Sequence, residues 1–165
     1  MIYRILTVLG FIGLCLYGGI RCVSYIDYKQ ECGGHLKRAA DSNTIPLAEK
    51  ELAQALQYIE KNDLTSGYTS VVYRTPDEDL EFWHSNLVAA HKELQSIAPN
   101  ATQLEKTNVL MKLRETLLDS VQHGGQEVTA PEGISVYPHN TALVMLALVS
   151  LLMMLVFGFM WLADA

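Results

Sequence analysis

None of the short signatures that announce a catalytic mechanism is present: no glycine-rich phosphate loop, no His-Glu-x-x-His, no Cys-x-x-Cys and no Gly-x-Ser-x-Gly nucleophile turn. These absences point to a non-enzyme that needs no cofactor. Basic residues are also scarce, with 12 Lys and Arg against 18 Asp and Glu and a net charge of −6. A protein that binds a phosphate backbone needs a cationic face to release counterions, so nucleic acid is not an expected partner. There is no internal repeat and no low-complexity tract.

Charge is missing from two regions in particular, the runs Ile5 to Ile20 and Thr141 to Ala163, and outside Arg21 to Asn140 the only charged side chains are Arg4 and Asp164. The second run as a helix measures roughly 34 Å, enough to cross a hydrocarbon core of about 30 Å. Tyr137 before it and Trp161 near its end stand where interfacial aromatics are expected. The first run measures roughly 24 Å, a marginal span that Arg4 and Arg21 can extend by snorkelling. Two readings of it compete: an uncleaved anchor, and a cleaved signal peptide. The second is weakened by the lack of an Ala-x-Ala site after Ile20.

The middle segment is long enough for one modest core. Thr44 and Pro46 open a helix whose stripe is Ala48, Leu52, Ala55 or Leu56, and Ile59, closed by Asn62 and Asp63. Thr75-Pro76-Asp77-Glu78 reads as a capping box opening a second, with a seam of Leu80, Trp83, Leu87, Ala90, Leu94 and Ile97. Asn100 and Gln103 open a third, with Leu110, Leu113, Leu117 and Val121 inward, stopped by Gly124-Gly125. Tyr25, Tyr28, Cys32, Leu36 and Ala39 keep helical spacing, so the first span is expected to continue into this module, with Gly33-Gly34 as a kink or a close crossing. Two stretches, Tyr68 to Arg74 and Glu127 to Tyr137, suit extended covers or a small two-stranded pairing. The expected fold is therefore an all-α membrane protein: an antiparallel four-helix bundle between two transmembrane helices, with a short extended or two-stranded cover. Its divisions are residues 1–21 as the first span or signal anchor, 22–126 as the bundle, 127–140 as an extended tether and 141–163 as the second span.

Candidate sites are few. Cys32 and His35 share a helical face, as do His84 and His91, and the four make a weak alternative metal set. The plainer explanation is that the histidines flank the core with a ring nitrogen in water, so no metal is assigned. The acidic run Asp77-Glu78-Asp79 with Glu81 fits a helix N-terminus better than a Ca²⁺ loop. Asn100-Ala101-Thr102 matches a glycosylation acceptor, although Asn100 as a helix cap explains it equally. Cys22 and Cys32 would lie roughly 15 Å apart on one helix, too far for a bridge. Tyr68, Tyr73 and Tyr137 make the extended stretches suitable for covering the bundle's own end or for protein contact, and Tyr25, Tyr28, Trp83 and Leu87 mark where a ligand pocket between helices would form. Gly10, Gly13 and Gly18 on the first span, with Ala147, Ser150 and Gly158 on the second, would permit close helix approach.

Short tails beyond both spans leave no expected output domain across the membrane. The leading expectation is a membrane-anchored, non-catalytic helical module that binds a protein partner or helps assemble a membrane complex, with the lipid bilayer and a membrane protein or a second copy as partners. The runner-up is a sensor or small-ligand-binding domain relaying through a partner's membrane helices. The layout resembles the ligand-binding part of two-span bacterial chemoreceptors, which implies that second role. No Lys or Arg occurs from Glu115 to Asn140, which favours an extracytoplasmic position for the bulk of the chain, while Arg21, Lys29, Lys37 and Arg38 count the other way.

Overall fold

The structure, a computed structural model, describes residues 1–120 and 125–164. The inward assignment of Val121 and the stop at Gly124 lie outside the described residues. The chain is mostly helical: α1 (Ile2–Tyr28), a π-helical turn (Lys29–Gly33), α2 (Gly34–Ala40), α3 (Ile45–Lys61), α4 (Leu80–Ser96), α5 (Gln103–Leu117) and α6 (Asn140–Ala163), with strands β1 (Leu118–Ser120) and β2 (Gln126–Val128) between α5 and α6. It divides into two compact units, one of Met1–Ile26 with the chain from Ser135 onward, the other Asp27–Ile134. The second unit thus takes in most of the stretch that the sequence reading assigned to a tether.

In the first unit two helices are long and apolar enough to cross a membrane, and only 11% of the most apolar window of each is buried. A core helix of a soluble protein would be covered by its own chain; here Ile5, Val8, Phe11, Leu148, Leu152 and Leu155 are exposed. The two helices meet through small residues. A Cβ added at Gly10 would lie 2.7 Å from the Ser150 carbonyl oxygen and 2.8 Å from the Met154 nitrogen, and one at Gly13 would run into the Ser150 hydroxyl. Gly158 faces Thr7, and Ser150 is buried. Close backbone approach of this kind replaces the missing hydrophobic drive between helices in lipid. Gly18 takes no part, with nothing within 4 Å of its added Cβ. Tyr3 stacks on Phe157, and the Arg4 guanidinium lies 5.3 Å from the Trp161 ring centroid.

In the Asp27–Ile134 unit α2 packs on α3 and α5, α3 on α4, and α4 on α5. The core is Cys32, Leu36 and Ala39 from the π turn and α2, Ala48, Leu52, Ala55 and Ile59 from α3, Leu80, Leu87 and Leu94 from α4, and Leu113 and Leu117 from α5. The stripe expected on α3 is the one buried. Asp63 sits at φ 55°, and the amide of Leu64 donates to Ile59 O at 2.9 Å while that of Asp63 donates to Glu60 O. This left-handed stop satisfies two terminal carbonyls and turns Leu64 into the core.

Helix starts differ from the sequence reading. Thr75 and Glu78 do bond through their side chains at 2.7 Å, but Pro76–Glu78 forms only a 3₁₀ turn. Asp79 is extended (ψ 108°), and its carboxylate takes the amides of Glu81 and Phe82, so α4 begins one turn late. The delay arises because the Asp79 backbone is bridged to Tyr68, and the Leu80 amide donates to Gly67 O. Likewise α5 is capped by Thr102 with Glu105 in a reciprocal box, leaving Asn100 exposed outside the helix. Glu105 accepts from the Thr102 amide and hydroxyl, which holds its carboxyl below the usual range.

The two-stranded pairing forms with other partners than expected. β2 pairs antiparallel with β1, Leu118 opposite Val128, rather than with Tyr68 to Arg74, and Ile134–Val136 is a 3₁₀ turn. Trp83 fastens the segment after the hairpin to α4, its indole N–H donating to Thr129 O at 2.8 Å.

Candidate functional site

Three features of the Asp27–Ile134 unit carry chemistry. The first is Glu51, which interrupts the apolar stripe of α3 between Ala48 and Leu52 and is 1% exposed. Its carboxylate pairs with His35 Nδ1 at 2.7 Å and with Arg38 Nη2 at 2.7 Å, both from α2. A buried charge is tolerated only when paired and hydrogen-bonded, and both oxygens are engaged here. The sequence signal is a carboxylate one step from the core position Leu52, and apolar spacing does not register it. His35 is therefore committed to Glu51.

The second feature surrounds the π turn. Tyr28 lies edge-on to Tyr58 with centroids 6.2 Å apart, and Cys32 is fully buried. Tyr58 donates its hydroxyl to Asp27 Oδ2 at 3.2 Å. Partial burial, helped by the Asp27 carboxylate, pushes the Tyr58 phenol from 10.0 up to about 12. Such turns insert one residue into a helix and accompany function often enough to mark the place. Gly34 closes it, and a Cβ there would lie 2.9 Å from Lys29 O.

The third feature is the surface of the loop before α4 and a cleft. Tyr73 and Val72 are exposed, and so is Phe82 in the first turn of α4. A cleft of about 500 Å³ opens between α2, α5 and the hairpin, lined by Lys37, Asp41, Arg114, Leu118, Ser120, Gly125 and Gln126. Arg114 donates to Gln126 Oε1 at 2.6 Å and lies 3.7 Å from Asp41, whereas the Lys37 ammonium has no partner among the described residues.

The residues singled out from the sequence are distributed as follows. Tyr68 and Tyr73 share the loop before α4, while Tyr137 belongs to the first unit, half-buried. Tyr25 is exposed in the first unit; in the second, Tyr28 is beside Tyr58, Trp83 is spent on Thr129, and Leu87 is in the core. None of those four lines the cleft. Among the described residues no three His, Cys, Asp or Glu side chains converge in a metal-holding group, so Cys32, His35, His84 and His91 are not brought together. His84 and His91 are half-buried, and the Nε2 of each is buried without a hydrogen-bond partner among the described residues, which leaves Nδ1 as the ring nitrogen that can meet water. Val72, Phe82, Lys37 and Arg114 were missed, because exposure of an apolar side chain and convergence of distant cations are tertiary facts. No family model matches the chain, and no curated protein or solved structure matches it.

Proposed function

We propose that the chain is a two-span integral membrane protein holding an antiparallel four-helix bundle of α2, α3, α4 and α5 on the extracytoplasmic side, where it binds a protein partner or helps assemble a membrane complex without catalysis. The observation that carries this reading is the coexistence of two glycine-paired apolar helices, exposed along most of their length, with a separate polar-surfaced unit displaying Val72, Tyr73 and Phe82. Exposed apolar groups on an otherwise polar surface suit protein contact. The absence of Lys and Arg from Glu115 to Asn140 supports the outward placement.

Native electrophoresis of membranes solubilised in mild detergent tests the role: the chain is expected in a species larger than its own micelle, and migration alone would refute the reading. Sidedness needs an accessible thiol. Cys32 is fully buried, whereas Cys15 and Cys22 are exposed, so a cysteine placed at exposed Asn108 on α5 in a chain without its native cysteines is the probe. Reaction with an impermeant maleimide in intact cells supports the outward position, and reaction only after lysis reverses it. A second reading, a sensor of small anions, has in its favour the cleft of Arg114 and of Lys37, whose ammonium has no partner among the described residues. Lys37→Ala would abolish saturable phosphate or dicarboxylate binding if that reading holds.

A further inference from the structure

Among the described residues of the Asp27–Ile134 unit, five of the eight exposed large apolar side chains belong to one stretch of chain, the others being Leu47 on α3 and Leu104 and Met111 on α5. Tyr68, Val71, Val72, Tyr73 and Phe82 fall within a single loop and the helical turn it feeds, Val72 at 78%, Tyr73 at 76% and Phe82 at 65% exposure. The loop is held at its base. The Leu80 amide donates to Gly67 O at 2.9 Å, the Thr69 amide donates to Glu78 O at 3.1 Å, and Tyr68 bridges Asp79. Its tip is tied by the Ser70 hydroxyl donating to Tyr73 O, and the Arg74 guanidinium rests 5.5 Å from the Tyr68 ring centroid. An apolar tip on such a frame loses little freedom on docking, and aromatic groups presented this way are typical anchors.

The charge around the frame has one predominant sign: Asp77, Glu78, Asp79 and Glu81 against Arg74. Helix capping accounts for Asp79, and Glu78 takes the Thr75 hydroxyl. The Asp77 and Glu81 carboxylates have no hydrogen-bond or ion-pair partner among the described residues.

We propose that this acid-rimmed apolar loop is the docking surface for a cationic, apolar segment of another protein, with Val72 and Tyr73 as anchors and Asp77 and Glu81 as the charges that orient it. The inference rests on the partner-binding reading and adds its face and its chemistry. Charge complementarity selects the occupant. An anionic lipid surface would be repelled by the rim, and a two-fold contact with a second copy would set one acidic rim against the other.

The test places a photoreactive benzoylphenylalanine at Val72 of the full chain in native membranes, and at Asn108 as the exposed control. A protein adduct is expected from position 72, with the captured peptide rich in Lys or Arg and apolar residues. Its yield falls about tenfold in Asp77→Asn/Glu81→Gln, as loss of orienting charges implies. Tyr73→Ser, which alters no core position, lowers the yield as well. An adduct to lipid only, to a second copy, or to a segment without net positive charge overturns the proposal, as does a yield indifferent to both variants. A protein adduct from position 108 alone refutes this loop and leaves the partner-binding reading standing. No protein adduct from either position refutes both.

Discussion

Glu51 shows how a single side chain ties two helices. Its carboxylate is buried, but the side chains that hold it are not equally so: that of Arg38 is 65% exposed and that of His35 22%. Removing the acid releases Arg38 to water, whereas removing both partners strands a charge in the core. His35→Leu/Arg38→Leu is therefore expected to cost about 3 kcal/mol or more, and Glu51→Gln nearer 1, in denaturant unfolding of the full chain in micelles followed by circular dichroism. Equal costs would mean the carboxylate is not buried. Tyr58 gives a pH-dependent counterpart. Its phenol is raised from 10.0 to about 12, so its contribution to stability is complete below pH 10 and lost as pH rises through about 12. Tyrosinate absorbance should show a step near pH 12 that is lost in Tyr58→Phe, while the Tyr28 phenol, pushed up further by its deeper burial, titrates later still.

At the scale of elements, capping and small-residue contacts decide boundaries and pairing. Asp79 takes two amides of α4, while Thr75 serves only the 3₁₀ turn. Asp79→Ala should cost about 1 kcal/mol and Thr75→Ala distinctly less, measured by the same unfolding. The sequence reading placed the cap at Thr75 because Thr-Pro-Asp-Glu satisfies the local rule; the bridge from Tyr68 to Asp79 that postpones the helix is a contact between residues local rules do not pair. The miss at Asn100 is of another kind, since Thr102 and Glu105 form a local capping box that the sequence itself displays. The glycine contacts were more legible, since spacing alone puts Gly10 and Gly13 on one face. In a chain without its native cysteines, Thr7→Cys/Gly158→Cys should cross-link readily on oxidation, the Thr7 methyl lying 3.7 Å from an added Gly158 Cβ. Adding Gly13→Leu should abolish that cross-link by forcing the helices apart. Persistence of the link would place the contact elsewhere.

At the scale of the molecule, the helical content, the two apolar spans and the burial of the α3 and α4 stripes were legible, because periodicity and long uncharged runs report them directly. The hairpin partner of β2 was not, since three-residue strands carry little pattern. The candidate surface was half legible: Tyr68 and Tyr73 stood out as aromatics in an extended stretch, while the exposure of Val72 and Phe82 depends on how the loop closes. On the proposed reading α1 up to Ile26 and α6 lie in lipid while the Asp27–Ile134 unit faces water. Nitroxides at Val8, Ile12, Leu148, Leu152 and Leu155 in reconstituted bilayers measure this through collision with oxygen, which concentrates in hydrocarbon, and with a water-soluble nickel complex. Oxygen-dominated relaxation is expected at all five and nickel-dominated relaxation at Asn108. Nickel access at the five equal to that at Asn108 would contradict it.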